Sequence, residues 1–120
     1  MTMTEKPYKL IIVEGITDKQ QISKILAEPV TIICTYGTFS IEYFDELVDT
    51  YDLFAQDVYV FVDEDEPGLK LRQHLNAELS HAKQMHIPAM FKEVAETPLP
   101  ILAEILVLHN FKIDPLFLRL

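Results

Sequence analysis

Cysteine is almost absent from the chain. The one copy, Cys34, lies inside the apolar run VTIIC. No disulfide framework can form within the chain, and a reducing, cytoplasmic compartment is the simplest expectation. Long apolar runs are missing too. No stretch approaches 18 residues, so no membrane span is predicted. The opening MTMTEKPYKL has no basic region followed by an apolar signal core, and it reads as a short tail before the first strand. No repeat, low-complexity segment or long linker divides the sequence. Basic residues are scarce: 10 Lys and Arg stand against 19 Asp and Glu, for a net charge of -9. Between Lys24 and Lys70 there is none, while eleven acids occur there. Such a field opposes non-specific binding to phosphate backbones, so the charge disfavours structured RNA or DNA as a partner.

What is present suits one folded domain over residues 1–120. Hydrophobic residues make up 49% of the chain, enough for a core without disulfide or metal staples. KLIIV, Lys9 to Val13, is dense enough to be a strand covered on both faces. Thr17 is expected to cap the next helix, with Gln20 three residues on and Ile22, Ile25 and Leu26 inward. VTIIC, Val30 to Cys34, is the second strand. The turn TYGTFS follows, and Ser40 is expected to cap a helix with Ile41, Phe44, Leu47 and Val48 inward. Asp57 opens the third strand, VYVFV. A long helix is expected from about Gly68 to Met85, burying Leu71, Leu75, Leu79 and Ala82. A short fourth strand is expected within IPAMFKEV, and a last helix near Pro98 or Pro100. This alternation predicts an α/β fold: a mostly parallel sheet of about four strands with helices on both faces, in a three-layer, Rossmann-like arrangement. The core spans about 8–95, with the C-terminal helix and tail over about 98–120.

Right-handed crossovers put the carboxyl ends of parallel strands on one edge, where ligands bind in open α/β sheets. Glu14 and Gly15 follow strand one, Gly37 follows strand two, and Asp63 and Asp65 follow strand three. If strands one and three are neighbours, three carboxylates converge. Asp63 and Asp65 point to one side of an extended chain, and Glu64 and Glu66 to the other. The spacing suits a shared hard cation, magnesium or calcium. Acids at a helix start also stabilise its first turn, and that reading stands beside the first. Gly68 allows a sharp turn into the helix, whose free N–H groups can take a phosphate or one of the acids.

IIVEGITDK, Ile11 to Lys19, and VFVDEDEPG, Val60 to Gly68, resemble the two hallmark motifs of the Toprim domain. This module serves topoisomerases, bacterial primases, recombination proteins and certain nucleases. TYGT, Thr35 to Thr38, resembles the turn after the second Toprim strand. Asp18, TYG and the Asp-x-Asp-x-x-Pro-Gly form are most similar to the ribonuclease that matures the 5S ribosomal RNA precursor. The resemblance spans about residues 8–95. It implies that Asp63 and Asp65 hold magnesium, or manganese in its place. It implies that Glu14 is a general acid or base, or part of the metal shell, in phosphodiester chemistry. Gly15, Gly37 and Gly68 would shape the loops. Lys19, Lys70 and Arg72, the nearest basic residues in sequence, are candidate phosphate contacts, and Asp18 either joins the site or adds to the Thr17 cap.

Two functions from different classes follow. One is a magnesium-dependent phosphotransfer enzyme, nuclease-like, on nucleic acid. The other is a non-catalytic module that binds magnesium and nucleic acid or nucleotide and acts with a partner protein. The 120 residues leave no room for the further domains of topoisomerases, primases or the maturation ribonuclease. None of the five tyrosines is marked as a nucleophile. His74, His81, His86 and His109 have no metal-ligand spacing and are expected at or near the surface. The apolar end, with Phe117, Leu118 and Leu120, is expected to pack on its own domain or to form a homodimer or partner contact.

Overall fold

A computed structural model describes residues 7–37 and 39–118. Met1 to Lys6 of the expected tail, Thr38 of the TYGT turn and Leu120 of the apolar end lie outside the described residues. Four strands form one sheet: β1 (Lys9–Val13), β2 (Thr31–Cys34), β3 (Asp57–Phe61) and β4 (Lys83–Met85). Their order is β2-β1-β3-β4, and every pairing is parallel. Among the described residues four α-helices accompany them: α1 (Ile16–Ile25), α2 (Ile41–Tyr51), α3 (Glu66–Glu78) and α4 (Leu99–Leu108).

The apolar runs explain the layers. In β1, Ile11 and Val13 enter one core with Ile22 and Ile25 of α1 and Leu102 and Leu106 of α4. Leu10 and Ile12 enter the other, with Phe44 and Leu47 of α2 and Leu71 and Leu75 of α3. The strand alternates, but both of its faces meet helices, so it needs no polar side. Each fully buried Leu or Ile contributes about 1.5–3 kcal/mol relative to exposure. None of the described helices is long and apolar enough to cross a membrane.

Several local expectations change. The N-cap of α1 is Gly15, two residues earlier than the expected Thr17. The side chain that satisfies the turn is Asp18, whose Oδ2 accepts the Gly15 N–H at 3.0 Å. Ser40 does cap α2, accepting the Tyr43 N–H at 3.1 Å, but Ile41 is exposed in the first turn. α3 ends at Glu78 rather than near Met85. Leu79 and Ala82 still reach the core, from a turn closed by Ala82 N–H to the Leu79 carbonyl, so the apolar period outlasts the helix. The fourth strand is Lys83–Met85, ahead of IPAMFKEV. It is a three-residue edge strand that fully buries only Met85, and so short an element carries no apolar run to announce it.

α4 starts behind Pro98, with Pro100 in its first turn, as proline's fixed φ favours. The segment after it returns to the amino end of the sheet. Lys112 N–H and Lys9 Nζ both bind Glu28 Oε2, at 2.7 and 3.2 Å. Phe111 is buried, and Ile113 and Phe117 pack against the core. Leu116 and Leu118 remain exposed.

Candidate metal centre

The chain runs from β1 to β2 in one direction across the sheet, then restarts at β3 and runs to β4 in the other. The reversal falls between β1 and β3, which are paired neighbours. Crossovers diverge there and leave a crevice at the carboxyl ends. Glu14 follows β1 and Asp63 lies two residues beyond β3, so both stand at this point.

Glu14, Asp63 and Asp65 each offer one oxygen, and the three oxygens lie within 4.8 Å of one another. All three residues are partly buried. Each carboxylate is also held by a backbone N–H. Asp63 N–H donates to Glu14 Oε2 at 2.8 Å, Val94 N–H to Asp63 Oδ1 at 2.8 Å, and Gly68 N–H to Asp65 Oδ1 at 2.8 Å. A carboxylate accepts at two oxygens, so one backbone bond fixes its orientation and leaves further acceptor capacity. Asp65 is therefore both the N-cap of α3 and a member of the acidic group.

Crowding shows in the protonation balance. Burial pushes the Glu14 carboxyl up to about 7; the Asp63 N–H opposes this, and the charges of Asp63 and Asp65 add to it. Burial also raises Asp63, with Asp65 adding to the shift and the Val94 N–H opposing it. The crowded carboxylates thus favour a proton on Glu14, which a side-chain hydrogen bond shares with Asp63. A divalent ion would replace that proton as the local positive charge. The hard oxygen donors fit magnesium or manganese.

Gly68 has a steric reason to be glycine. A β-carbon there would lie 2.1 Å from the Asp63 carbonyl oxygen and 3.0 Å from Asp65 Oδ1. The helix start can approach the loop this closely only without a side chain. Gly37 adopts a φ of +76°, and it supports the expected turn. Gly15 has φ of −136°, which any residue can adopt, so the expected loop-shaping role has no conformational basis there.

The basic candidates separate. Lys19, on α1, is half-exposed, and its charge acts on Cys34 at the carboxyl end of β2. Lys70 is exposed and pairs with Glu66 at 3.7 Å. Arg72 is turned inward, against the expectation of a phosphate contact. Its Nη2 donates to Glu64 Oε2 at 2.8 Å and to the Val62 carbonyl at 3.1 Å, and its Nη1 to Gln84 Oε1 at 2.8 Å. The cation is used to hold Glu64, the acid between the two candidate ligands. His86 Nδ1 meets the same Glu64 oxygen at 2.9 Å. Glu64 thus faces away from the acidic group, and Glu66 is exposed, as the extended-chain reading expected for both. Asp18 is buried and serves the β1–α1 turn; burial raises its carboxyl and nearby Asp63 adds to the shift.

Residues 92–94 hold the site in a way the sequence did not signal. The Lys92 carbonyl accepts the Glu64 N–H, and Val94 N–H holds Asp63. These are main-chain groups, and no residue type marks them. Lys92 has φ of 62°, and Tyr36, whose N–H binds the Glu14 carbonyl, has φ of 59°. Non-glycine residues rarely adopt this region.

The class follows from fold and site together: a parallel α/β module with three carboxylates at its switch point, able to hold a divalent ion. No family model matches the chain. The chain is 43% identical over 111 residues to the Bacillus subtilis (strain 168) protein YusF, described as uncharacterized; the match spans 92% of this chain and 75% of that one. It is also similar to the solved structure of a small Toprim domain protein from Bacillus stearothermophilus. The TM-score is 0.86 and the identity 37%, over 94% of both chains. The chain belongs to the small Toprim domain proteins, a family whose fold suggests metal-binding, nucleic-acid-related function.

Proposed function

We propose that this chain performs magnesium-dependent phosphotransfer on nucleic acid, with nuclease-like chemistry. The observation that carries the reading is the convergence of Glu14, Asp63 and Asp65 within 4.8 Å at the switch point. Asp63 and Asp65 hold the ion, with manganese as a substitute, and Glu14 completes the set. The bound ion supplies a Lewis acid for a phosphoryl oxygen and neutralises charge in the transition state. Glu14 moves a proton to or from the reacting oxygen. Lys19 and Lys70 meet flanking phosphates, while Arg72 acts on the site only through Glu64. A cytoplasmic setting suits the single buried Cys34.

A second reading is a non-catalytic module that binds magnesium and nucleic acid beside a partner protein or a second copy. The inward turn of Arg72 favours it, since this removes a basic contact from an acidic edge.

Calorimetric titration of magnesium and manganese into the wild type and the Asp63→Ala, Asp65→Ala double variant tests both. Cleavage of labelled structured RNA, duplex DNA and single strands is measured in parallel. Saturable binding lost in the double variant is expected, by more than about 100-fold, since even outer partners of a metal site are worth 10–100-fold. Metal-dependent cleavage abolished by Glu14→Ala supports the enzyme. Binding with no cleavage supports the second reading, and no saturable metal binding even with nucleic acid present overturns both.

A further inference from the structure

A cavity of about 200 Å³ lies beside the acidic edge, lined among the described residues by Gly37, Phe39, Pro67, Lys70, Leu71 and His74. Both of its walls are close to the carboxylates along the chain. Pro67 is two residues from Asp65 on α3, and Gly37 follows Tyr36, whose N–H is bound to the Glu14 carbonyl. Its wall carries two aromatic rings: Phe39 and His74 have centroids 5.0 Å apart and ring planes inclined at 47°. Phe39 is braced from behind by Phe44, at 5.8 Å, and by the core under α2 and α3. The His74 ring is exposed. Lys70 lies one helical turn before His74, and its pairing with Glu66 joins two exposed side chains, which is worth little and yields readily to another anion.

We infer that this cavity takes one unpaired nucleobase of the substrate, stacked on His74 and Phe39, with Lys70 on the adjoining phosphate. The inference rests on the nucleic-acid reading of the acidic edge and sharpens it to a substrate class. An exposed ring braced by a second ring is a stacking platform, and every base has a π-face to offer. A base inside a duplex has both faces covered by its neighbours, so only an unpaired one can enter. The substrate is then nucleic acid with a single-stranded nucleotide next to the phosphate at the carboxylates. The described lining side chains present no edge-reading amide or carboxylate, so they tolerate any base. Steering by one lysine also suits an otherwise acidic protein better than a broad basic surface, which the sequence lacks between Lys24 and Lys70.

The test uses the full chain with saturating magnesium and short oligonucleotides carrying 2-aminopurine, in ribo- and deoxyribo- forms, single-stranded or in duplex. Fluorescence quenching reports stacking. Single strands should bind at least about ten-fold tighter than the same sequence in duplex. His74→Ala and Phe39→Leu should each weaken single-strand binding by roughly ten-fold, the effect of one lost base–aromatic stack. Their calorimetric magnesium affinity should match the wild type, which also shows that the variants fold. Preference for RNA or DNA is read from the two sugar forms. Equal binding of single strand and duplex, or wild-type binding by both variants, overturns the inference while leaving the metal-dependent reading intact. If the Asp63→Asn, Asp65→Asn variant binds single strands normally and the cavity variants do not, the cavity stands on its own, whatever the magnesium titration decides about the metal-dependent reading. No quenching by the wild type with any oligonucleotide overturns the inference, and the magnesium titration judges the other reading separately.

Discussion

Two acidic regions of this molecule have similar composition and opposite character. α2 and its C-cap carry Glu42, Asp45, Glu46, Asp49 and Asp52, all exposed. The switch point carries Glu14, Asp63, Glu64 and Asp65, all partly buried. On α2 the charges project into water, where high dielectric and salt weaken their repulsion. At the switch point backbone N–H groups hold three carboxylates close together, and the fourth acid is paired with a buried arginine. The lesson is that acidic content alone defines no site. The backbone must force the charges together and leave the repulsion uncompensated by the protein's own cations.

The largest expected effect comes from breaking that division inside the second region. Among the described residues, Arg72→Met leaves Glu64 with the exposed His86 as its one side-chain partner. It should cost about 3–5 kcal/mol, the usual penalty for removing one partner of a buried pair, read by urea unfolding. It should also weaken magnesium binding, because the loop between Asp63 and Asp65 loses its tie to β4.

Gly68→Ala comes next. The added methyl group meets the Asp63 carbonyl at 2.1 Å, and this backbone atom has no flexible end to move aside. A loss of about 1–3 kcal/mol is expected, together with weaker magnesium binding in the same calorimetric assay.

The pH dependence sharpens the comparison further. The Glu14 carboxyl is raised in the folded protein from 4.5 to about 7. Between those values the folded state binds more proton than the unfolded chain, so metal-free stability falls as pH rises through this window. Below it, both states are protonated and this contribution is fully present. Urea midpoints at pH 4.5, 6 and 7.5 should show the decline, and Glu14→Gln should reduce its slope. Asp18 and Asp63, also raised by burial, add to the decline, while His109, lowered by burial, opposes it. Saturating magnesium should restore stability at the upper pH, by about 2.7 kcal/mol at 100 times its dissociation constant.

The smallest effect belongs to α2. Asp45→Asn with Glu46→Gln removes two acids, yet stability should change by no more than about 0.5 kcal/mol and magnesium affinity should stay as it was. A change in affinity comparable to that of the Asp63, Asp65 variant would erase the distinction between the regions.

Much of the frame was legible along the chain. The runs KLIIV, VTIIC and VYVFV read as strands because their density of Ile, Val and Leu suits burial on both faces, and β1, β2 and β3 fall on them. That property is local, and so is the placement of Glu14, Asp63 and Asp65 after them. β4 was not legible at its true position, because Lys83 and Gln84 contribute backbone pairing rather than apolar side chains. The start of α1 was misread because Thr17 has the residue type of a cap, while the Gly15 N–H is satisfied by a side chain from within the helix.

Sequence by itself determined the parallel α/β layering and the three acids available at the carboxyl edge, since both follow from periodic burial and chain order. Only the tertiary structure decided which charges act together. Glu14 and Asp63 are separated by 49 positions and joined by one hydrogen bond, and Arg72 meets Glu64 rather than solvent because β4 and the end of β3 close around it. The physical reason is that hydrophobic pattern is read along the chain, one residue after another. Electrostatic partnership depends on distance and dielectric, and both exist only after the sheet has brought distant segments together.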